Sequence, residues 1–305
     1  MKAVVTGATG LIGRALASRL VAPVALVRDP SRAPEGARAV RWDTSAPAPS
    51  PALEGADVVF HLAGDPVAGG RWSPEKKARI RASRVAGTRS IVRAIEASAE
   101  RPRALVCASA VGFYGSRGDD ELTERDPAGA GFLADVCREW EAEALQAEAL
   151  GVRVVLARFG VVLSPDGGAL SAMLPPFRLG LGGAIAGGKQ WMSWIHLDDA
   201  VGMLLHAAES RSIRGPMNVT APAPATNAEL TRALGRALGR PAVLGVPRFA
   251  IAAALGEAAE IVLASQRALP EVAARSGFRH AHREIGAALE HLLSPAAARV
   301  ASAAE

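Results

Sequence analysis

The sequence predicts an α/β fold built on a doubly wound parallel sheet, and three observations predict it. Short apolar runs alternate with stretches of helical periodicity along most of the chain, the pattern of strands covered by helices. Ala, Gly and Val carry much of the apolar count while aromatics are few, a composition that suits close-packed helices on a parallel sheet. The chain also opens on a strand, a glycine-rich turn and a helix in immediate succession, the first unit of such a sheet.

Taken in order, strands are expected at Ala3–Thr6, Val24–Val27, Val58–Leu62, Leu105–Ser109 and Val152–Phe159. Helices are expected at Leu11–Leu20, Pro74–Ala97, Gly131–Leu150 and Asp198–Ala208. The Pro-rich stretch from Ala46 to Pro51 is too short and too early to divide domains, and reads as a surface connection. The Gly- and Pro-rich stretch from Ser164 to Gly188 breaks the alternation, so the chain is expected to leave the sheet there. Asn218–Thr220 would return as a last strand, and residues 225–292 are mostly helical in pattern. The Ala-rich end after Ser294 is expected to fray.

Composition bounds the function classes. The 305 residues are 50% hydrophobic and only 4% aromatic, enough apolar surface for a sizeable core of closely packed helices on a sheet. The net charge is +5, and Lys occurs only at positions 2, 76, 77 and 189. The arginines are scattered, with no basic run interleaved with aromatics, so no nucleic-acid partner is expected. Cys107 and Cys137 have no CxxC spacing; they form neither a disulfide framework nor a metal motif, and a cytoplasmic location is expected. The opening apolar stretch is broken by Thr6, Gly7, Thr9, Gly10 and Arg14, unlike a secretory signal. No uncharged apolar run approaches the roughly 18 residues of a membrane-spanning helix.

The chemistry is most legible at the start, in Val4-Val5-Thr6-Gly7-Ala8-Thr9-Gly10-Leu11-Ile12-Gly13. In this strand–turn–helix context the first glycine permits the tight turn and the second lets backbone amides approach a pyrophosphate. The third lets the helix pack close to the strand. The helix start adds partial positive charge toward the phosphates. The fold class is therefore a Rossmann-type doubly wound sheet with a smaller C-terminal substrate-side subdomain. The expected division is a cofactor-binding domain over residues 1–163, which regains about 191–221, and the subdomain over 164–190 and 222–305. The second strand ends in Arg28-Asp29, with Arg32 following. An Arg here suits the 2′-phosphate of NADP(H), whereas an acid suits the 2′-OH of NAD. Arg28 comes first, which favours NADP(H), and Asp29 keeps NAD open.

These residues also carry a family resemblance. The TGATGLIG opening, His61-Leu62-Ala63-Gly64, the run Ala108 to Gly115, and Trp194-Ile195-His196-Leu197-Asp198-Asp199 resemble extended short-chain dehydrogenase/reductases. Arg71-Trp72, Ser83-Arg84, Trp140-Glu141 and Gln266-Arg267-Ala268-Leu269-Pro270 resemble, more narrowly, the atypical "epimerase family" branch. The resemblance implies that Gly7, Gly10, Leu11, Ile12 and Gly13 line the pyrophosphate and that Arg28 faces the 2′-phosphate. It implies that Ala63 and Gly64 lie along the adenosine ribose. Asp43 would stand near the adenine or on a surface loop. Ser109 would be the catalytic hydroxyl that orients a substrate carbonyl or alcohol.

The family's Tyr-x-x-x-Lys dyad is absent. Tyr114 is the single tyrosine, Gly118 follows four residues later, and no lysine lies between 77 and 189. The dyad positions fall near Leu133 and Cys137, and Arg84 stands where such enzymes often carry an active-site Asn. Tyr114 is expected either as a substitute proton donor or as an aromatic wall. Cys137 reads as a buried thiol, Glu141 as the partner of an Arg, and His196 as a support of the fold. Trp191 and Trp194 read as a wall over the ligand or as core, and Pro175-Pro176-Phe177 as a lid. The expected function is an NADP(H)-dependent oxidoreductase or epimerase-like enzyme acting on an unknown small carbonyl or alcohol. The alternative is a non-catalytic NADP(H)-binding redox sensor or scaffold. No metal site and no membrane partner are expected. The chain would be a monomer, or a homodimer through the helices at 74–97 and 131–150.

Overall fold

Seven parallel strands form the central sheet of the computed structural model, which describes residues 1–294; the end expected to fray lies outside them. The strands are β1 (Ala3–Thr6), β2 (Val24–Val27), β3 (Arg38–Arg41), β4 (Val58–His61), β5 (Ala104–Ala110), β6 (Arg153–Phe159) and β7 (Gly215–Val219). Their spatial order is β3-β2-β1-β4-β5-β6-β7. The order reverses between β1 and β4, which opens a crevice at their carboxyl ends where such sheets bind ligands. Each expected strand is present, Asn218 on β7 included. β3 was not expected. Its sequence, RAVR, has exposed arginines at both ends, because an edge strand needs only partial burial and so lacks the apolar run of a central one.

The longer helices are α1 (Leu11–Ala17), α2 (Pro74–Ala97), α3 (Phe132–Leu145), α4 (Gly168–Arg178), α5 (Leu197–Glu209), α6 (Asn227–Leu238), α7 (Arg248–Leu255) and α8 (Ile285–Leu293). Right-handed crossovers send α1 to one face of the sheet and α2 and α3 to the other, because the chain moves in opposite directions from β1 and from β4. Ser73 caps α2 by accepting the Lys76 amide, with Pro74 at the first helical position. Ion pairs from Arg81 to Glu139 and from Arg89 to Glu143 tie α2 to α3 on their outer side.

The main core lies between the sheet and these helices, around Val5, Phe60, Leu105, Val155 and Ile195. A second apolar cluster joins Leu163, Leu174, Phe177, Trp194, Leu234 and Leu289. Pro175 and Pro176, expected in a lid rather than in a helix, are helical. They lie inside α4, exposed, while Phe177 is buried. A helix tolerates proline on its solvent side near its end, where carbonyls left without a donor face water.

Candidate cofactor and substrate site

The turn after β1 has the shape that its glycines require. Gly7 adopts φ +67°, and a Cβ there would stand 2.8 Å from the Leu62 carbonyl carbon. A Cβ at Gly13 would collide with the Gly7 carbonyl oxygen. Gly10 differs: its Cβ would meet only Gly7 O at 3.3 Å, within its own loop, and the residue is exposed. Packing therefore demands Gly7 and Gly13, whereas Gly10 leaves open space in front of the backbone. No side chain caps α1 and no acid lies in its first turn. The amides of Leu11, Ile12 and Gly13 thus have no acceptor from a cap or from the helix itself.

A buried relay fixes this loop to the next strand. Thr6 Oγ1 accepts the amides of Leu62 and Ala63, both at 3.1 Å, and lies 2.8 Å from His61 Nδ1. With two donors already received, the Thr6 hydroxyl donates to Nδ1, so His61 carries its proton on Nε2, 3.0 Å from Thr88 Oγ1. Ala63 and Gly64 are thereby held beside the glycine turn. Burial pushes the His61 ring down to about 3, so it stays neutral.

At the outer end of the crevice, Arg28, Arg32 and Arg41 are exposed and form no ion pair among the described residues. Asp29 Oδ1 accepts both the amide of Ser31 at 3.0 Å and the Ser31 hydroxyl at 2.7 Å. These bonds hold its carboxyl below the usual range. Asp43 is committed in the same way to Ser45, with the Arg28 charge also acting on it. The sequence reading missed Arg41, because its strand was missed.

The inner end is organised by sheet register. Ser109 on β5, Arg158 on β6 and Asn218 on β7 are register neighbours in one row, with Glu141 of α3 above them. Ser109 Oγ donates to Glu141 Oε1 at 2.6 Å, and Arg158 donates to both oxygens of that carboxylate at 2.8 Å. Arg158 Nη1 also donates to the Tyr114 hydroxyl at 3.0 Å, and that hydroxyl donates to Asn218 Oδ1 at 2.7 Å. Tyr114 is 0% exposed, and burial raises its pKa. The Tyr114 hydroxyl, expected either as a proton donor or as part of an aromatic wall, is buried in the network and donates its one proton to Asn218. Glu141 pairs with an arginine, as the sequence suggested. A lone Arg inside the apolar run VVLARF was the available signal for Arg158, since a buried charge needs a partner.

The two dyad positions lie on α3. Leu133 packs among the apolar side chains around Trp72, Ile80 and Val136. Cys137 is buried beside Ser109 and Arg84, and burial pushes its thiol up to about 11. Leu133 carries no titratable group, and the Cys137 thiol keeps its proton at neutral pH. Trp194 is fully buried, with its indole N–H on the Ala223 carbonyl, and Trp191 lies under Arg267 with its N–H on Asp119. His196 caps α5 by accepting the Asp198 amide.

The glycine turn follows β1, Arg28 follows β2, and Ser109 lies near the end of β5, all toward the carboxyl edge of the sheet. The family model for the NAD-dependent epimerase/dehydratase family matches residues 3–219. The chain belongs to that family. A second model, a domain of unknown function (DUF1731), matches residues 246–292. An epimerase family protein of Mycobacterium leprae is 44% identical over 94% of this chain and 94% of its own. The chloroplastic SDR39U1 homolog of Arabidopsis thaliana is 42% identical over 95% of this chain and 86% of its own. The crystal structure of human epimerase family protein SDR39U1 (isoform 2) with NADPH is 32% identical, with a TM-score of 0.87. It spans 97% of this chain and 100% of the human one. MoeE5 in complex with UDP-glucose and NAD, at 22% identity and a TM-score of 0.78, shares the fold over 98% of this chain and 100% of its own. This epimerase/dehydratase family member has, among its described residues, no helix long and apolar enough to cross a membrane.

Proposed function

We propose that the chain binds NADP(H) in preference to NAD(H) and acts as an epimerase-like oxidoreductase on a small alcohol or carbonyl compound. The observation that carries this reading is the trio Arg28, Arg32 and Arg41, free of ion pairs, around an Asp29 whose carboxylate is turned onto Ser31. A 2′-phosphate would bring negative charge to that cluster, and guanidinium groups match it bidentately. The NADPH in the human relative's structure supports the same reading.

NADP(H), when bound, supplies or takes up a hydride; the chain positions the other reactant. The Ser109 proton goes to Glu141, so the lone pairs of Oγ are what remain to accept a hydrogen bond. Ser109 therefore orients a substrate hydroxyl, and the alcohol proton leaves to water, because the Tyr114 proton is held by Asn218.

A second reading, an NADP(H)-binding sensor or scaffold without turnover, is favoured by Leu133 and Cys137 at the dyad positions and by the sealed Tyr114 hydroxyl. Calorimetric titration of cofactor-stripped protein with NADPH, NADP⁺, NADH and NAD⁺ tests the shared part: equal affinity for all four would remove it. Transfer of deuterium from 4-deuterated NADPH to a panel of small carbonyl compounds separates the two readings. Labelled alcohol supports the enzyme. Selective binding with no transfer supports the sensor.

A further inference from the structure

Three histidines from different elements meet at the start of α5. His196 ends the short strand Trp194–His196, His282 stands in the turn before α8, and His291 lies in the last turn of α8. One nitrogen of each ring stands within 4.8 Å of those of the other two. The His196 and His282 rings stack with centroids 3.7 Å apart, and the His291 ring lies 5.1 Å and 4.6 Å from them. His196 Nε2 and His291 Nδ1 are 3.2 Å apart. Two nitrogens bound to one tetrahedral ion at about 2.0–2.1 Å are about 3.3 Å apart, so this pair already has the spacing of two ligands.

Other groups fix the backbones that carry these rings. Asp199, buried in the first turn of α5, accepts the amides of Ala281 at 2.9 Å and His282 at 2.8 Å. His280 Nε2 donates to the Thr220 carbonyl at 2.9 Å. Leu289 and Leu292 anchor the turn of α8 that carries His291 in the second apolar cluster. The remaining freedom is in the rings. His196 is buried, His282 half-buried and His291 exposed, so the two outer rings can turn out of the stack until three lone pairs converge. His196 Nδ1 stands 3.7 Å from Oδ2 of Asp198, whose other oxygen pairs with Arg19. With its proton moved from Nε2 to Nδ1, His196 donates toward that carboxylate, the outer partner that commonly orients a ligating imidazole. The carbonyl end of α8 adds partial negative charge beside His291.

We propose that His196, His282 and His291 form a binding site for one divalent transition-metal ion of the zinc class, through His196 Nε2, His291 Nδ1 and one nitrogen of His282, with water as the fourth ligand. Imidazole donors suit zinc, copper or nickel and not magnesium or calcium. The ion would clip α8, in the segment matched by the second family model, to the start of α5, in the segment matched by the first. No short spacing announces such a site in the sequence, because its ligands come from distant segments. The site does not depend on the cofactor reading.

The test is calorimetric titration of the full chain, free of any affinity tag and stripped with a chelator, with Zn²⁺ at neutral pH. One-to-one binding with a Kd of about 10 µM or below is expected, and Zn²⁺ should raise the melting temperature. Weaker binding overturns the site. His282→Gln and His291→Gln, which leave the buried ring in place, should each weaken Zn²⁺ by at least about tenfold, and Asp198→Asn by about tenfold. Unchanged binding by the double variant H282Q/H291Q would put the ion elsewhere and overturn the assignment. Co²⁺ gives a second reading on the wild-type chain that needs no variant. The intense visible absorption of four-coordinate cobalt is expected, and the weak spectrum of hydrated six-coordinate cobalt would count against the three nitrogens.

Discussion

Ser109 and Glu141, 32 positions apart, meet in a 2.6 Å hydrogen bond in which the serine is the donor. The carboxylate that receives it also holds Arg158 through two bonds. The serine that resembles a catalytic hydroxyl is therefore an acceptor toward anything that approaches it. Its orientation is set by a buried ion pair rather than by a tyrosine–lysine dyad.

Glu141→Gln is expected to be strongly destabilising. It would leave Arg158, whose side chain is 4% exposed, without a counter-charge. Removing one partner of a buried pair typically costs about 3–5 kcal/mol. Urea unfolding followed by circular dichroism reads the difference. A loss under about 1 kcal/mol would mean that the pair is open to water in solution.

Arg28→Ala should raise the Kd for NADPH about ten- to a hundredfold and change that for NADH little. Arg32→Ala and Arg41→Ala should shift NADPH in the same direction by less, because three guanidinium groups share one phosphate. Parallel titrations with the two cofactors check this, and equal losses for both would take the 2′-phosphate away from Arg28.

Gly10→Val should abolish cofactor binding while leaving the melting temperature close to that of the wild type. The side chain would fill the open face of the turn, where packing makes no demand. Gly13→Ala should behave oppositely and damage folding, since its Cβ collides with the Gly7 carbonyl. Unchanged NADPH binding by the Gly10 variant would refute the pyrophosphate assignment.

Acid should destabilise the fold through buried histidines. His61 is held down at about 3 by burial, and His196 at about 4 by burial and then by the His282 ring stacked 3.7 Å away. With both folded values below an unfolded value near 6.5, the unfolded chain binds more protons between them. Stability is therefore full above about pH 6.5 and is lost as pH falls toward 4 and then 3. The His196 Nδ1 accepts the Asp198 amide, which puts its proton on Nε2, 3.2 Å from His291 Nδ1. Protonating Nδ1 would break the cap of α5. Melting temperatures across pH 4–7 should fall on the acid side, and His196→Asn, which keeps a capping oxygen, should flatten that fall. A wild-type profile already flat over this range would contradict the burial of both rings.

Much of the fold is legible in the sequence because its signals are local. The β1 and β2 runs, the glycine turn and the periodicity of α2 each depend on residues close in the chain. β3 escaped because RAVR on a half-exposed edge carries no apolar run. Pro175-Pro176 misled for a related reason: a helix end facing solvent accepts what a helix interior refuses.

The sequence by itself determined the parallel α/β sheet, the glycine turn at Gly7, Gly10 and Gly13, and the absence of a Tyr-x-x-x-Lys pair. Only the tertiary structure decided which partners Tyr114, Glu141, Arg158 and Arg84 have. Positions 109, 158 and 218 become neighbours through strand register, and the packing of α2 on α3 sets Arg84 against Gly64. A turn is fixed by the dihedral preferences of a few adjacent residues. The partner of a buried charge is fixed by which distant strands lie side by side, and no local pattern encodes that.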